Sequence, residues 1–210
     1  MKRRPTPYWP SFHGAQGASS TQGAAPIQDV PKSQERYAER ALRYISGYPV
    51  TVQNQARNLV ERKALGDYLI DRYPAPHDIN SNKLLRAYTL ELKSTHLRSS
   101  ERLSKVCFDD KLHLVHHALG TQSFISLPHG GRLKTRRELR VSSLFKRCPE
   151  PLLRMIVVHE LAHLREREHN DAFYRLCVHM EGRYHQLELD ARLYLIHKEL
   201  FGDLYQAEES

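Results

Sequence analysis

His159 and His163 stand four residues apart, with Glu160 beside the first, in the run His159-Glu160-Leu161-Ala162-His163. On a helix, four residues rise about 6 Å and turn slightly more than once, so both imidazoles leave one face and can converge on one ion. Glu160 lies next to that face, within reach of a water in an open coordination position. Two neutral imidazoles and a neighbouring carboxylate are the parts of metal-assisted hydrolysis, the carboxylate serving as general base. His169 follows six residues after His163, beyond the charged run 165–168, and Asn170 suits the cap of a helix starting at Asp171. The chain is therefore expected to turn and present His169 at the start of that helix. That gives three protein ligands and one open position, the arrangement of a catalytic zinc site.

Attack of water on a carbonyl builds charge on an oxygen, and such sites add a donor to receive it. Tyr174, His179 and Tyr184 are the candidates from the neighbouring elements. Asp190, on the last helix, suits either orienting a ligand imidazole from behind or a helix-surface ion pair with Arg192 or Arg183. His113, His116 and His117 cannot all face one site from a regular strand, and they read as structural or surface residues. His129 beside Gly130 reads as a turn residue. Cys148 precedes a helix start but has no adjacent base, so it is not read as a nucleophile. Arg132, Lys134, Arg136, Arg137 and Arg140 form the densest basic run, either a solvated strand face or an anion-binding patch.

The metal-binding run needs a rigid support, and the pattern supplies one. A helix starting after Pro149 carries Leu152, Leu153, Met155, Ile156, Val157, Val158, Leu161 and Leu164, apolar almost all round, so it is expected at the centre of the fold. Two histidines and a glutamate are expensive to bury there without partners. Helices are expected next at about 171–180 and 184–201, the last amphipathic through Leu187, Ala191, Tyr194, Leu195 and Leu200. Ahead of the central helix, 111–117 and 122–127 read as strands joined through Gly120. A turn at 128–132 and a third strand near 138–142 complete a small sheet. Earlier still come a helix over 31–44 and one over 52–73, which Pro74 and Pro76 stop. A third, capped by Asn80 or Ser81, runs to about residue 97 with Leu84, Leu85, Tyr88, Leu92 and Thr95 inward.

These elements give an α+β domain over 81–205, a helical leader over 31–80 and a disordered tail over 1–30, rich in Pro, Gly, Ala and Ser. The chain has 210 residues, enough to fold without a disulfide or metal staple. A hydrophobic fraction of 40% excludes wholesale disorder, and no stretch approaches 18 apolar residues, so no membrane is expected. Met1-Lys2-Arg3-Arg4 is followed by prolines rather than an apolar core, which argues against a secretory signal. Three unpaired cysteines fit a reducing compartment, the cytoplasm. The net charge of +8 permits nucleic acid as a partner without requiring it.

The segment 149–180 resembles the YgjP-like predicted metal-dependent hydrolases. The residues that carry the resemblance are Pro149-Glu150-Pro151-Leu152-Leu153, the His-Glu-Leu-Ala-His run and the later His169-Asn170-Asp171-Ala172-Phe173-Tyr174. These are minimal zincin or gluzincin-like proteins, similar in motif to the WLM and SprT-like metalloproteases. The resemblance implies a zincin-like metallopeptidase fold, a small β-sheet packed against helices with a buried HExxH helix. It further implies one catalytic zinc ion on His159, His163 and His169, Glu160 as the catalytic residue, Phe173-Tyr174 as an aromatic pair, and a peptide or protein substrate. A weaker likeness extends over 84–201. The family's Trp-Gly-Ser-Cys is replaced by Gly120-Thr121-Gln122-Ser123, and residues 1–80 have no counterpart. Glu166 stands where the longer metzincin signature has Gly, so that class is not implied. Two alternatives stay open. One is a DNA-associated WLM/SprT-like protease using the basic run. The other is a non-catalytic, metal-stabilised interaction module.

Overall fold

The computed structural model describes residues 38–112, 120–129 and 132–205, with 120–136 described by their backbone. A 3-10 turn at Arg43–Ile45 leads into α1 (Val50–Glu61), α2 (Leu65–Arg72) and α3 (Asn82–His96). Strands β1 (Leu103–Asp109), β2 (Gly120–His129) and β3 (Arg132–Ser142) follow. The chain then forms α4 (Glu150–Ala162), α5 (Asp171–Met180) and α6 (Tyr184–Phe201). The architecture is mixed α+β, helices around a small three-stranded sheet. The tail expected over 1–30 lies outside the described residues.

Where 52–73 reads as one helix, the structure has two. Lys63 takes φ 54° and its amide bonds to the carbonyl of Val60, while the Ala64 amide bonds to Leu59. A left-handed residue ends one helix and re-aims the next, and hydrophobic spacing carries no record of that turn. Of the helix expected over 31–44, the described part is helical from residue 38 and tightens into the 3-10 turn. The third helix is capped as expected by Ser81, whose Oγ accepts from the Leu84 amide. Its inner face is Leu85, Thr89 and Leu92, whereas Leu84 and Thr95 face out.

The sheet has the order β1-β3-β2, with β1 parallel and β2 antiparallel to β3. Strand β1 has no counterpart in the sequence reading. Its buried residues Leu103, Val106, Cys107 and Phe108 do not alternate, and the register shifts between Leu103 and Lys105, so the period-two signal is lost. The strand expected over 111–117 is not supported at Lys111, which sits in a turn, and from residue 113 lies outside the described residues. The turn expected at 128–132 is shorter, because Pro128 and His129 still belong to β2 and pair with Leu133 and Arg132.

Helix α4 occupies the centre and packs against α3, α5, α6, β2 and β3. Leu152, Leu153, Met155, Ile156, Val157, Val158 and Leu161 are fully buried, each contributing about 1.5–3 kcal/mol relative to exposure. This apolar shell offsets the cost of holding a carboxyl group inside. Helix α6 is buried rather than amphipathic. Its polar stripe meets the first helices instead of water. Asp190, fully buried, accepts from Tyr73 Oη at 2.6 Å and Gln186 Nε2 at 3.0 Å and pairs with Arg72 at 3.3 Å. Arg192 binds Glu188 and donates to the Tyr44 carbonyl at 3.2 Å. Among the described residues, no helix is long and apolar enough to cross a membrane.

Candidate metal centre

The C-terminal end of α4 carries His159 and makes His163 its cap residue. The chain then turns tightly, the amides of Arg165 and Glu166 both bonding to the Ala162 carbonyl. Asn170 caps α5, its Oδ1 accepting from the Phe173 amide at 2.9 Å, and this fixes His169 one residue earlier. The three imidazoles converge, with one ligand atom from each within 4.8 Å of the others. Nε2 of His169 stands 3.1 Å from Nε2 of His159. Two nitrogens bound tetrahedrally at the usual zinc–nitrogen length stand about 3.4 Å apart, so this spacing fits a shared ion. The three histidines are close enough to chelate one.

In His159 and His163 the other ring nitrogen has a partner, as ligation through Nε2 requires. His163 Nδ1 lies 2.9 Å from the Glu166 carbonyl, a pure acceptor, so Nδ1 carries the hydrogen and Nε2 is left with its lone pair. His159 Nδ1 lies 2.6 Å from Tyr184 Oη. Beneath all three stands Phe173, fully buried, with its ring centroid 4.9, 4.6 and 4.7 Å from those of His159, His163 and His169. It forms an apolar floor that holds the rings at their mutual angles. Glu160 is 1% exposed, and burial pushes its carboxyl up to about 8. Positive charge beside it would favour the carboxylate form.

The other expected residues divide. Tyr174 is half-buried, 6.4 Å from the His169 ring. Tyr184 is fully buried, with its hydroxyl directed to Nδ1 of His159. His179 lies six residues beyond Phe173 on α5, about 9 Å along the axis, and packs edge-on against His96 at 6.0 Å. Asp190 serves the contact between α2 and α6; the position behind His159 belongs to Tyr184. Neither Arg192 nor Arg183 pairs with it. Their partners are Glu188 and Glu181.

The basic run is not a uniform patch. Arg137 is buried, pairs with Glu101 and donates to the Leu164 carbonyl at 3.1 Å, which ties β3 to the turn after His163. Arg140 lies between Asp109 at 2.7 Å and Glu138 at 2.8 Å. Side chains of Arg132, Lys134 and Arg136 lie outside the described residues, as do His113, His116 and His117. Cys148 is fully buried, and burial pushes its thiol well up, against any nucleophilic use. Two contributors escaped the sequence reading. His185 lies 5.5 Å from Tyr174, and the Glu166 carbonyl orients His163. Only tertiary packing reveals either.

Comparison with known proteins adds two findings. Residues 129–190 match the family model described as YgjP-like, metallopeptidase domain. A curated protein of Escherichia coli (strain K12) named UTP pyrophosphatase is 51% identical over 154 residues, covering 73% of this chain and 92% of that protein. No solved structure matches. The second finding overturns the peptidase reading, and with it the peptide or protein substrate, the DNA-associated protease and the non-catalytic module. The relative matching most of the chain is named for an activity on UTP, not for peptide cleavage. A motif that specifies a metal and a base does not specify the bond they attack.

Proposed function

We propose a reaction for this chain from one premise: it belongs to the same family as the Escherichia coli protein named UTP pyrophosphatase. The reaction is hydrolysis of a nucleoside triphosphate, UTP in the first instance, to the monophosphate and pyrophosphate. The identity over nearly the whole length of that relative carries this reading. His159, His163 and His169 would hold one zinc ion, the metal that three imidazoles with an open position suit best. Bound there, zinc supplies positive charge and Lewis acidity to a substrate oxygen.

The chain's own groups do the rest. Glu160 takes the proton from the attacking water onto a carboxylate oxygen as the new bond to the α-phosphorus forms. The bond from that phosphorus to the bridging oxygen breaks, and the proton passes to the departing pyrophosphate. Tyr184 Oη holds His159 so that Nε2 faces the ion. Phe173 excludes water from behind the three rings. In this reading α4 and α5 form a zincin-like metal unit turned to a phosphoanhydride, within a domain over 81–205 that follows a helical leader. A nucleotide substrate and the buried free thiols Cys107, Cys148 and Cys177 fit a cytoplasmic setting.

The Glu160→Gln protein tests the assignment. It should retain stoichiometric zinc and lose UTP hydrolysis by about a hundredfold or more. Full activity in that variant would remove Glu160 from the mechanism.

A further inference from the structure

Three rings form a row leading away from the metal centre. His169, exposed before the first turn of α5, is followed by Tyr174 at 6.4 Å with 32° between ring planes. Tyr174 is followed by His185, in the first turn of α6, at 5.5 Å with 36° between planes. Tyr174 and His185 are both half-buried. Their positions are fixed from below. The buried Phe173 ring meets Tyr174 edge-on at 5.3 Å, and His185 adjoins Tyr184, whose hydroxyl reaches His159. The row is therefore tied to the metal ligands through two buried aromatic side chains.

We propose that Tyr174 and His185 form the platform on which the nucleobase of the substrate rests. The proposal builds on the nucleoside triphosphate reading above and names the part of the substrate that these rings select. A triphosphate nucleoside is polar at one end and flat and aromatic at the other. Its phosphate end belongs with the three imidazoles and their cation, and its base needs a π-face. The row offers both in order, ligand imidazole first and aromatic platform second. The planes of neighbouring rings in the row are closer to parallel than to perpendicular, at 32° and 36°, an orientation that suits offset stacking of a flat base on the row. The His185 imidazole also brings a donor or acceptor that the edge of a uracil can meet.

The test is calorimetric binding of UMP and, separately, of inorganic pyrophosphate to the zinc-loaded full-length protein. Tyr174→Ala should weaken UMP binding about tenfold or more while leaving pyrophosphate binding unchanged. Tyr174→Phe keeps the ring and should keep UMP affinity. His185→Ala, at a half-buried site, should weaken UMP selectively and decides the matter if Tyr174→Ala fails to fold. Equal losses for UMP and pyrophosphate would overturn the platform, as would UMP binding indifferent to both alanine substitutions or absent from the wild type. UMP binding that depends on Tyr174, in a protein that does not hydrolyse UTP, would overturn the reaction and leave the platform standing.

Discussion

Tyr184 Oη, 2.6 Å from Nδ1 of His159, bears on which nitrogen of that ring would meet an ion. With the Nδ1 hydrogen donated to the hydroxyl, Nε2 keeps its lone pair for the metal and the ring cannot rotate away. Removing the hydroxyl while keeping the buried ring isolates this effect. Zinc affinity of Tyr184→Phe, measured by competition with a chromogenic chelator, should fall about 10–100-fold. Unchanged affinity would show that the packing around His159 orients it without help. Helical spacing made the convergence of His159 and His163 legible, and the Asn170 cap placed His169 at the start of the next helix beside them. Tyr184 was legible as a neighbour and not in its role, since which way a helix's first residue points depends on how that helix docks 25 residues later. The partners of Arg137 and Arg140 were hidden for a similar reason: Glu101 and Asp109 lie before and at the end of β1, the strand whose irregular pattern concealed it.

The elements nearest the three histidines carry clear boundary signals in the sequence, and those farther away carry weaker ones. Helices α4, α5 and α6 begin where Pro149, Asn170 and the apolar spacing place them. The break between α1 and α2 rests on one left-handed residue, Lys63, whose side chain is exposed. A residue with a Cβ pays roughly 1–2 kcal/mol in that conformation, and a β-branched one more. Lys63→Gly should thus be neutral or stabilising by up to about 1 kcal/mol, and Lys63→Val destabilising by about 1–2 kcal/mol, read from urea melts. Destabilisation by glycine would mean that the break is held by something other than this turn. The stripe of α6 misled for the opposite reason. Glu188, Asp190 and Arg192 look like a solvent face, yet Tyr73, Arg72 and the Tyr44 carbonyl meet them inside the protein. Buried polar groups with partners from distant sequence cannot be distinguished from surface groups by periodicity.

At the scale of the whole molecule, the leading helices and the metal unit share one hydrophobic core, from Tyr44 and Leu69 to Val158 and Tyr194. That continuity sets the three imidazoles on a support whose parts come from the leading helices and from α4 to α6. The support was only partly visible in sequence, and the substrate was not visible at all. Three imidazoles and a carboxylate serve an attack on carbon or on phosphorus equally well, and the choice lies in the walls around them. Only likeness to a protein named for UTP moved the reading from a peptide bond to a phosphoanhydride. The most direct measurement follows UTP by phosphorus NMR, with zinc-loaded protein in water enriched in heavy oxygen. The products expected are UMP and pyrophosphate, with the heavy oxygen on the UMP phosphorus and turnover lost on chelation. UDP and inorganic phosphate as products, or UTP left intact by the zinc-loaded protein, would contradict the proposed reaction.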